Sequence, residues 1–173
     1  MRSSNYNEKG CSILFELGYY NALLESFAKL IKLPNNIKAV YYLLEDITIL
    51  CENSQDGCTF FIMNNLLENE NLIDCPFKIM IYIVRIIFAT LQFNLLPPSE
   101  AVAQLTINVV EKCLESEDPD ILIKSLAIVQ FLHDQNIDII ERVKEQLEQL
   151  SIGEYGEEIS NGSLALIHLI DKQ

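Results

Sequence analysis

An apolar helical segment recurs four times in this chain at intervals of about forty residues, over positions 37–46, 77–86, 121–130 and 159–168. A period in that range marks a helical solenoid, because one repeat cannot bury its own apolar face and must stack on its neighbours. Superposing the four segments places Tyr42, Tyr82, Leu126 and Leu164 in one column, and Asp46, Ile86, Gln130 and His168 four residues later in another. Residues four apart lie on one helix face, so the two columns share a surface. A surface repeated along a stack suits binding better than chemistry.

Prolines, glycines and short polar clusters divide the chain into nine or ten helices. A short helix over 12–17 ends at Gly18, and a second over 19–32 repeats Leu23, Leu24, Phe27, Leu30 and Ile31 before Leu33-Pro34-Asn35-Asn36 stops it. Helices are expected over 37–52 and from 54 to about 67. Asp74 or Cys75 is expected to cap a long apolar helix with Pro76 in its first turn, and Pro97-Pro98 to close that region. Residues 79–96 approach the length of a membrane span, but Arg85, Gln92 and Asn94 within them make a buried core helix the better account.

A helix over 99–114 carries the stripe Val102, Leu105, Val109 and Cys113. Asp118-Pro119-Asp120 is the sharpest start signal in the chain: an acceptor for the first free N–H groups, a fixed φ, and an acid at the positive helix end. A helix over 119–133 follows from it. Residues 137–150 put Ile140, Val143, Leu147 and Leu150 on one face, which predicts a single amphipathic helix. A last helix over 157–171 contains Asn161-Gly162, which either permits close helix contact or splits the helix. No stretch alternates as a strand does. The expected architecture is one all-α domain over 11–173 behind a flexible tail, residues 1–10.

Charge narrows the partner class. The net charge is −13, and it is uneven: residues 1–97 hold seven Lys/Arg against ten Asp/Glu, whereas residues 98–173 hold five against fifteen. Such a field repels phosphate backbones and anionic headgroups and attracts basic protein surfaces, so no direct nucleic-acid or membrane contact is expected. Half the residues are hydrophobic, a high share for so acidic a chain, and part of that surface is expected to meet a protein partner or another copy. The five cysteines, Cys11, Cys51, Cys58, Cys75 and Cys113, are odd in number and lack any CxxC pair. They are expected to be reduced core thiols in a cytoplasmic or nuclear protein. The opening residues lack the apolar run of a secretory signal.

Nothing nominates a catalytic or metal centre. His133 stands beside Asp134 at a helix end, where a cation favours the negative pole, and His168 lies alone on a helical face. The run Glu115-Ser116-Glu117-Asp118-Pro119-Asp120 lacks the spaced ligands and central glycine of a calcium loop. The chain is therefore expected to be non-enzymatic, with no cofactor.

Two stretches resemble a known family. Cys113-Leu114-Glu115-Ser116-Glu117-Asp118-Pro119-Asp120-Ile121 is similar to the short helix and Asp-Pro-capped longer helix of armadillo repeats, above all the C-terminal repeats of the importin alpha family. Phe15-Glu16-Leu17-Gly18-Tyr19-Tyr20-Asn21-Ala22-Leu23-Leu24 resembles the armadillo phrase in which glycine separates a short helix from the next. The resemblance implies a right-handed α-solenoid of about four armadillo/HEAT-like repeats that holds a peptide on its concave face. In the importin family a Trp and an Asn four residues apart on each third helix form ladders for an extended basic peptide. Here there is no Trp, and the second column reads Asp46, Ile86, Gln130 and His168. By resemblance Tyr42, Asp46 and Gln130 keep peptide-contact chemistry; with Tyr82 from the aromatic column and Asp134, they are the expected partner-contacting residues of an adaptor or scaffold for a peptide or helix, a basic one being what the acidic charge attracts. The alternative is a structural subunit that joins a homo- or hetero-oligomer through apolar end faces.

Overall fold

Helix ends set the course of this chain. In a computed structural model, which describes residues 8–96, 99–137 and 139–170, the backbone forms nine α-helices, three short 3-10 turns and no strand among the described residues. The all-α expectation holds. The chain divides into two compact units, residues 1–105 and 106–173.

Unit 1 contains α1 (Glu8–Glu16), α2 (Tyr19–Leu30), α3 (Ile37–Asn53), α4 (Gln55–Met63) and α5 (Phe77–Gln92), with 3-10 turns at Pro34–Asn36, Leu66–Glu68 and Glu70–Leu72. The first seven residues of the expected tail lie outside the described ones, and α1 takes up the other three. Helix α3 buries Val40, Leu44, Ile47 and Cys51, a stripe at three- and four-residue spacing, and packs against α1, α2, α4 and α5. Helix α5 is buried almost all round, through Ile79, Met80, Ile83, Val84, Ile86 and Ile87. Among the described residues no helix is long and apolar enough to cross a membrane. Threonines inside this core satisfy themselves locally: the Thr48 hydroxyl donates to the Leu44 carbonyl and that of Thr90 to Ile87, each at 2.6 Å.

Close approach fixes α4. The Ser54 hydroxyl accepts from the Gly57 N–H at 3.1 Å, a side-chain cap, and a Cβ on Gly57 would stand 2.8 Å from the Leu50 carbonyl oxygen of α3. Only glycine lets the two helices meet there. Helix α4 stops at Met63, short of the expected 67, because Asn65 turns left-handed at φ 60°.

Asn65 belongs to a recurrent device. Asn94 and Asn136 also have positive φ, at 55° and 59°, and each ends a helix in a Schellman closure. After α5 the amides of Asn94 and Leu95 reach back to the carbonyls of Leu91 and Thr90; after α7 (Pro119–Asp134) those of Asn136 and Ile137 reach His133 and Leu132. Pro97-Pro98, expected to close the α5 region, lie outside the described residues.

Helix α6 (Glu100–Cys113) carries the chain past the division, and unit 2 continues with α7, α8 (Lys144–Leu150) and α9 (Glu157–Ile170). Asp118 caps α7 as expected, its Oδ1 accepting from the Asp120 N–H at 3.0 Å. The single helix expected over 137–150 is not formed. Among the described residues of that stretch only Lys144–Leu150 is helical, since the Asn136 closure turns the chain out of α7 and residues 140–143 are turns that bury Ile140 and Val143. Helix α9 runs unbroken through Gly162, where a Cβ would meet Leu126 Cδ1 of α7 at 3.4 Å, so of the two expectations close contact is the one realised.

The left-handed asparagines are open to a direct test. A β-branched side chain at φ near 55° should cost about 1–2 kcal/mol, whereas glycine should cost nothing or stabilise. Urea denaturation of Asn94→Val and Asn94→Gly is therefore expected to show the first less stable and the second at least as stable as the parent protein.

Candidate functional site

Helices α3 and α5 begin in the same way. Neither has a side-chain cap, at Asn36 or at Pro76, and neither has an acid in its first turn. Each instead carries a lysine at its second residue, Lys38 and Lys78, where a cation opposes the positive helix end. The cap expected from Asp74 or Cys75 is absent: Pro76 itself occupies the cap position in extended conformation, and the Cys75 thiol donates to the Asn71 carbonyl.

These two starts flank a groove of about 520 Å³, lined by Ile37, Lys38, Tyr41, Tyr42, Pro76, Lys78, Ile79, Ile81 and Tyr82. Both tyrosines of the repeated column are in it, in different roles. Tyr42 is 50 % exposed and forms a wall, whereas Tyr82 is 7 % exposed and forms the floor. Tyr41 stands between them, edge-on to Tyr42 at 5.5 Å and to Tyr82 at 5.0 Å between ring centres. Burial and the hydrogen bond with Tyr41 hold the Tyr82 phenol well above its ordinary pKa. Behind it the Arg85 guanidinium, 6.0 Å from the Tyr82 ring centre, forms a two-pronged bond to Glu52 at 2.8 and 2.5 Å. The floor is thus buried among fixed partners and the wall is open.

The groove's exposed edge combines Ile37, which is 48 % exposed, with the side chains of Lys38 and Lys78. A second hollow of about 430 Å³ shares Ile37 and Pro76 with the first and is lined also by Ile31, Leu33, Val40, Glu70, Asn71, Asp74 and Cys75.

No protein-family model, curated protein or solved structure matches the chain. The site therefore rests on its own geometry. Of the five residues chosen from sequence, Tyr42 and Tyr82 meet in this groove. Asp46 does not line it; its Oδ2 accepts from the Tyr19 hydroxyl at 2.9 Å and ties α3 to α2. Gln130 and Asp134 belong to unit 2, where the Gln130 amide donates to Asp134 Oδ1 at 2.8 Å along α7. Lys38, Lys78, Tyr41 and Pro76 were not anticipated, although the superposed segments pair Ile37-Lys38 with Phe77-Lys78 in their first two positions.

All five cysteines are buried. Cys51 and Cys58 touch, the Cys51 thiol donating to Cys58; that bond raises the pKa of Cys51 and lowers that of Cys58. Burial raises Cys11 and Tyr20, and pushes Cys113 in unit 2 from an ordinary value near 9 to about 12. A group held protonated in the fold stabilises it fully below the unfolded value and loses that contribution as pH climbs to the folded one. Stability should accordingly fall between about pH 9 and about pH 12 as unfolded Cys113 ionises and folded Cys113 does not. Urea midpoints measured across that window should drop for the parent protein and drop less steeply for Cys113→Ala.

Proposed function

We propose that the protein is a non-enzymatic protein–protein interaction module, an adaptor or scaffold whose α3–α5 groove holds a peptide or helical segment of a partner. The observation that carries this reading is the groove itself: a buried tyrosine floor, a half-exposed tyrosine wall and an exposed isoleucine on neighbouring helices of one unit. Large rings supply contact area at little entropic cost, which is why they dominate binding surfaces. The proposed architecture is a short right-handed α-solenoid of armadillo/HEAT-like repeats. Its support is that helices bearing consecutive copies of the repeated segment pack side by side, α3 on α5 and α7 on α9. A cytoplasmic or nuclear setting is the compartment in which five buried thiols stay reduced.

One observation favours a second reading, the structural subunit. Ile13 on α1 and Leu17 just after it, four residues apart, are 49 % and 75 % exposed, apolar surface that another chain or a second copy would cover. Light scattering separates the two: a stable monomer at high concentration opposes self-assembly through α1.

The groove reading is tested by capturing partners with the parent protein and measuring the affinity of the captured segment for Tyr42→Ala. The exposed ring should be dispensable for folding, with stability changed by less than about 0.5 kcal/mol, while affinity falls at least about tenfold. Equal affinity at unchanged stability contradicts the reading.

A further inference from the structure

The charges around the groove are sorted, although the chain as a whole is strongly acidic. The aromatic hollow is lined by Lys38 and Lys78 and by no acid. The hollow that continues from it over Ile37 and Pro76 is lined by Glu70 and Asp74 and by no base. All four side chains are exposed, and none makes an ion pair with another described residue. The groove therefore has a positive end, an apolar bridge and a negative end within one unit.

Chemistry at the positive end reinforces the lysines. The first turns of α3 and α5, both without a capping side chain or an acid, add their partial positive charge on the same side. Of the other helices, α1, α4, α6, α7, α8 and α9 each carry an acid in the first turn that neutralises this pole, and α2, which has neither cap nor acid there, starts at Tyr19 away from both hollows. Two lysines placed against the helix dipole cost stability unless a ligand's negative charge offsets them. At the other end Glu70 and Asp74 stand on a turn-rich segment next to Pro76.

We infer that the groove takes a partner segment of a definite charge order: an apolar or aromatic anchor seated against Tyr42 and Tyr82, carboxylates beside it over Lys38 and Lys78, and a lysine or arginine beyond it reaching Glu70 and Asp74. This order rests on the groove being a protein-binding site, and it differs from the uniformly basic peptide that the chain's total charge and the importin resemblance suggest. Steering by the whole acidic surface acts at a distance and is screened within about 10 Å at ordinary salt, whereas the groove's own charges act in contact. The order also fixes direction, because a segment laid in reverse would put its cation on the lysines and its acids on Glu70 and Asp74. Like charges so opposed are the means by which an interface rejects a wrong register.

The test is a displayed library of random peptides of about twelve residues, long enough to cross such a groove, panned against the full chain and counter-screened against Tyr42→Ala and Ile37→Ala. Binders lost on the counter-screen are groove-dependent. They are expected to share an aromatic or branched apolar anchor with Asp or Glu on one side and Lys or Arg on the other, in a single order. Their affinity should fall about tenfold for Lys38→Glu/Lys78→Glu and for Glu70→Lys/Asp74→Lys, and each double variant should restore peptides reversed in charge at the matching end. Far-UV circular dichroism checks that these exposed substitutions leave the fold intact. Groove-dependent binders that are basic throughout, or indifferent to both charge reversals, overturn the charge order and leave the groove reading standing. A selection with no binder sensitive to Tyr42→Ala or Ile37→Ala overturns both.

Discussion

The pairing of α3 with α5 is the interaction on which unit 1 depends. Each helix gives the other a nearly continuous apolar face, from Val40 to Cys51 on one side and Ile79 to Thr90 on the other. Burying such side chains contributes about 1.5–3 kcal/mol apiece, against about 1–2 kcal/mol per residue to fix the backbone, so neither helix would persist without its partner. Polar contacts then set direction. The half-buried Arg85–Glu52 pair, two bonds between two planar groups, allows one relative placement of the helices, and it specifies more than it stabilises. The Asp46–Tyr19 bond adds α2 to the pair, and the glycine contact at Gly57 adds α4.

The groove is a consequence of that pairing. Two helices locked together along their length, each with a lysine as its second residue and without a side-chain cap, leave their first turns side by side and incompletely covered. Tyr82 turns inward because α5 is surrounded, and Tyr42 turns outward at the open end of α3, so one aligned column yields a floor and a wall. The same column holds buried Leu126 on α7 and exposed Leu164 on α9. A repeated position thus does not mean a repeated environment, because neighbours, not spacing alone, decide which residues are covered.

Much of the helical pattern was legible because it depends on local chemistry. Gly18, Ser54 and Asp118 end or start helices through their own φ preference or their own side-chain oxygen, and no distant contact is needed to place them. The 137–150 stretch misled for the opposite reason. Ile140, Val143, Leu147 and Leu150 have helical spacing, but Asn136 and the Schellman bonds of Ile137 commit the chain to a turn before that spacing can act. Asn65, Asn94 and Asn136 each precede a leucine or isoleucine after a helix, a local stop signal that the sequence itself carries. The site shows the same division. Tyr42 and Tyr82 followed from the repeat, and the Lys38/Lys78 column was equally visible; the involvement of Pro76 and the loss of Asp46 to Tyr19 depend on tertiary packing that no spacing encodes.

Native-state hydrogen exchange on the full chain tests the α3–α5 pairing most directly. Amides of α3 from Leu44 to Leu50 and of α5 from Met80 to Ile87 should be the slowest in unit 1, sharing one opening free energy and one dependence on denaturant. If α3 exchanges through openings that leave α5 protected, or the reverse, the two helices do not form one cooperative element and the origin assigned here to the groove is wrong.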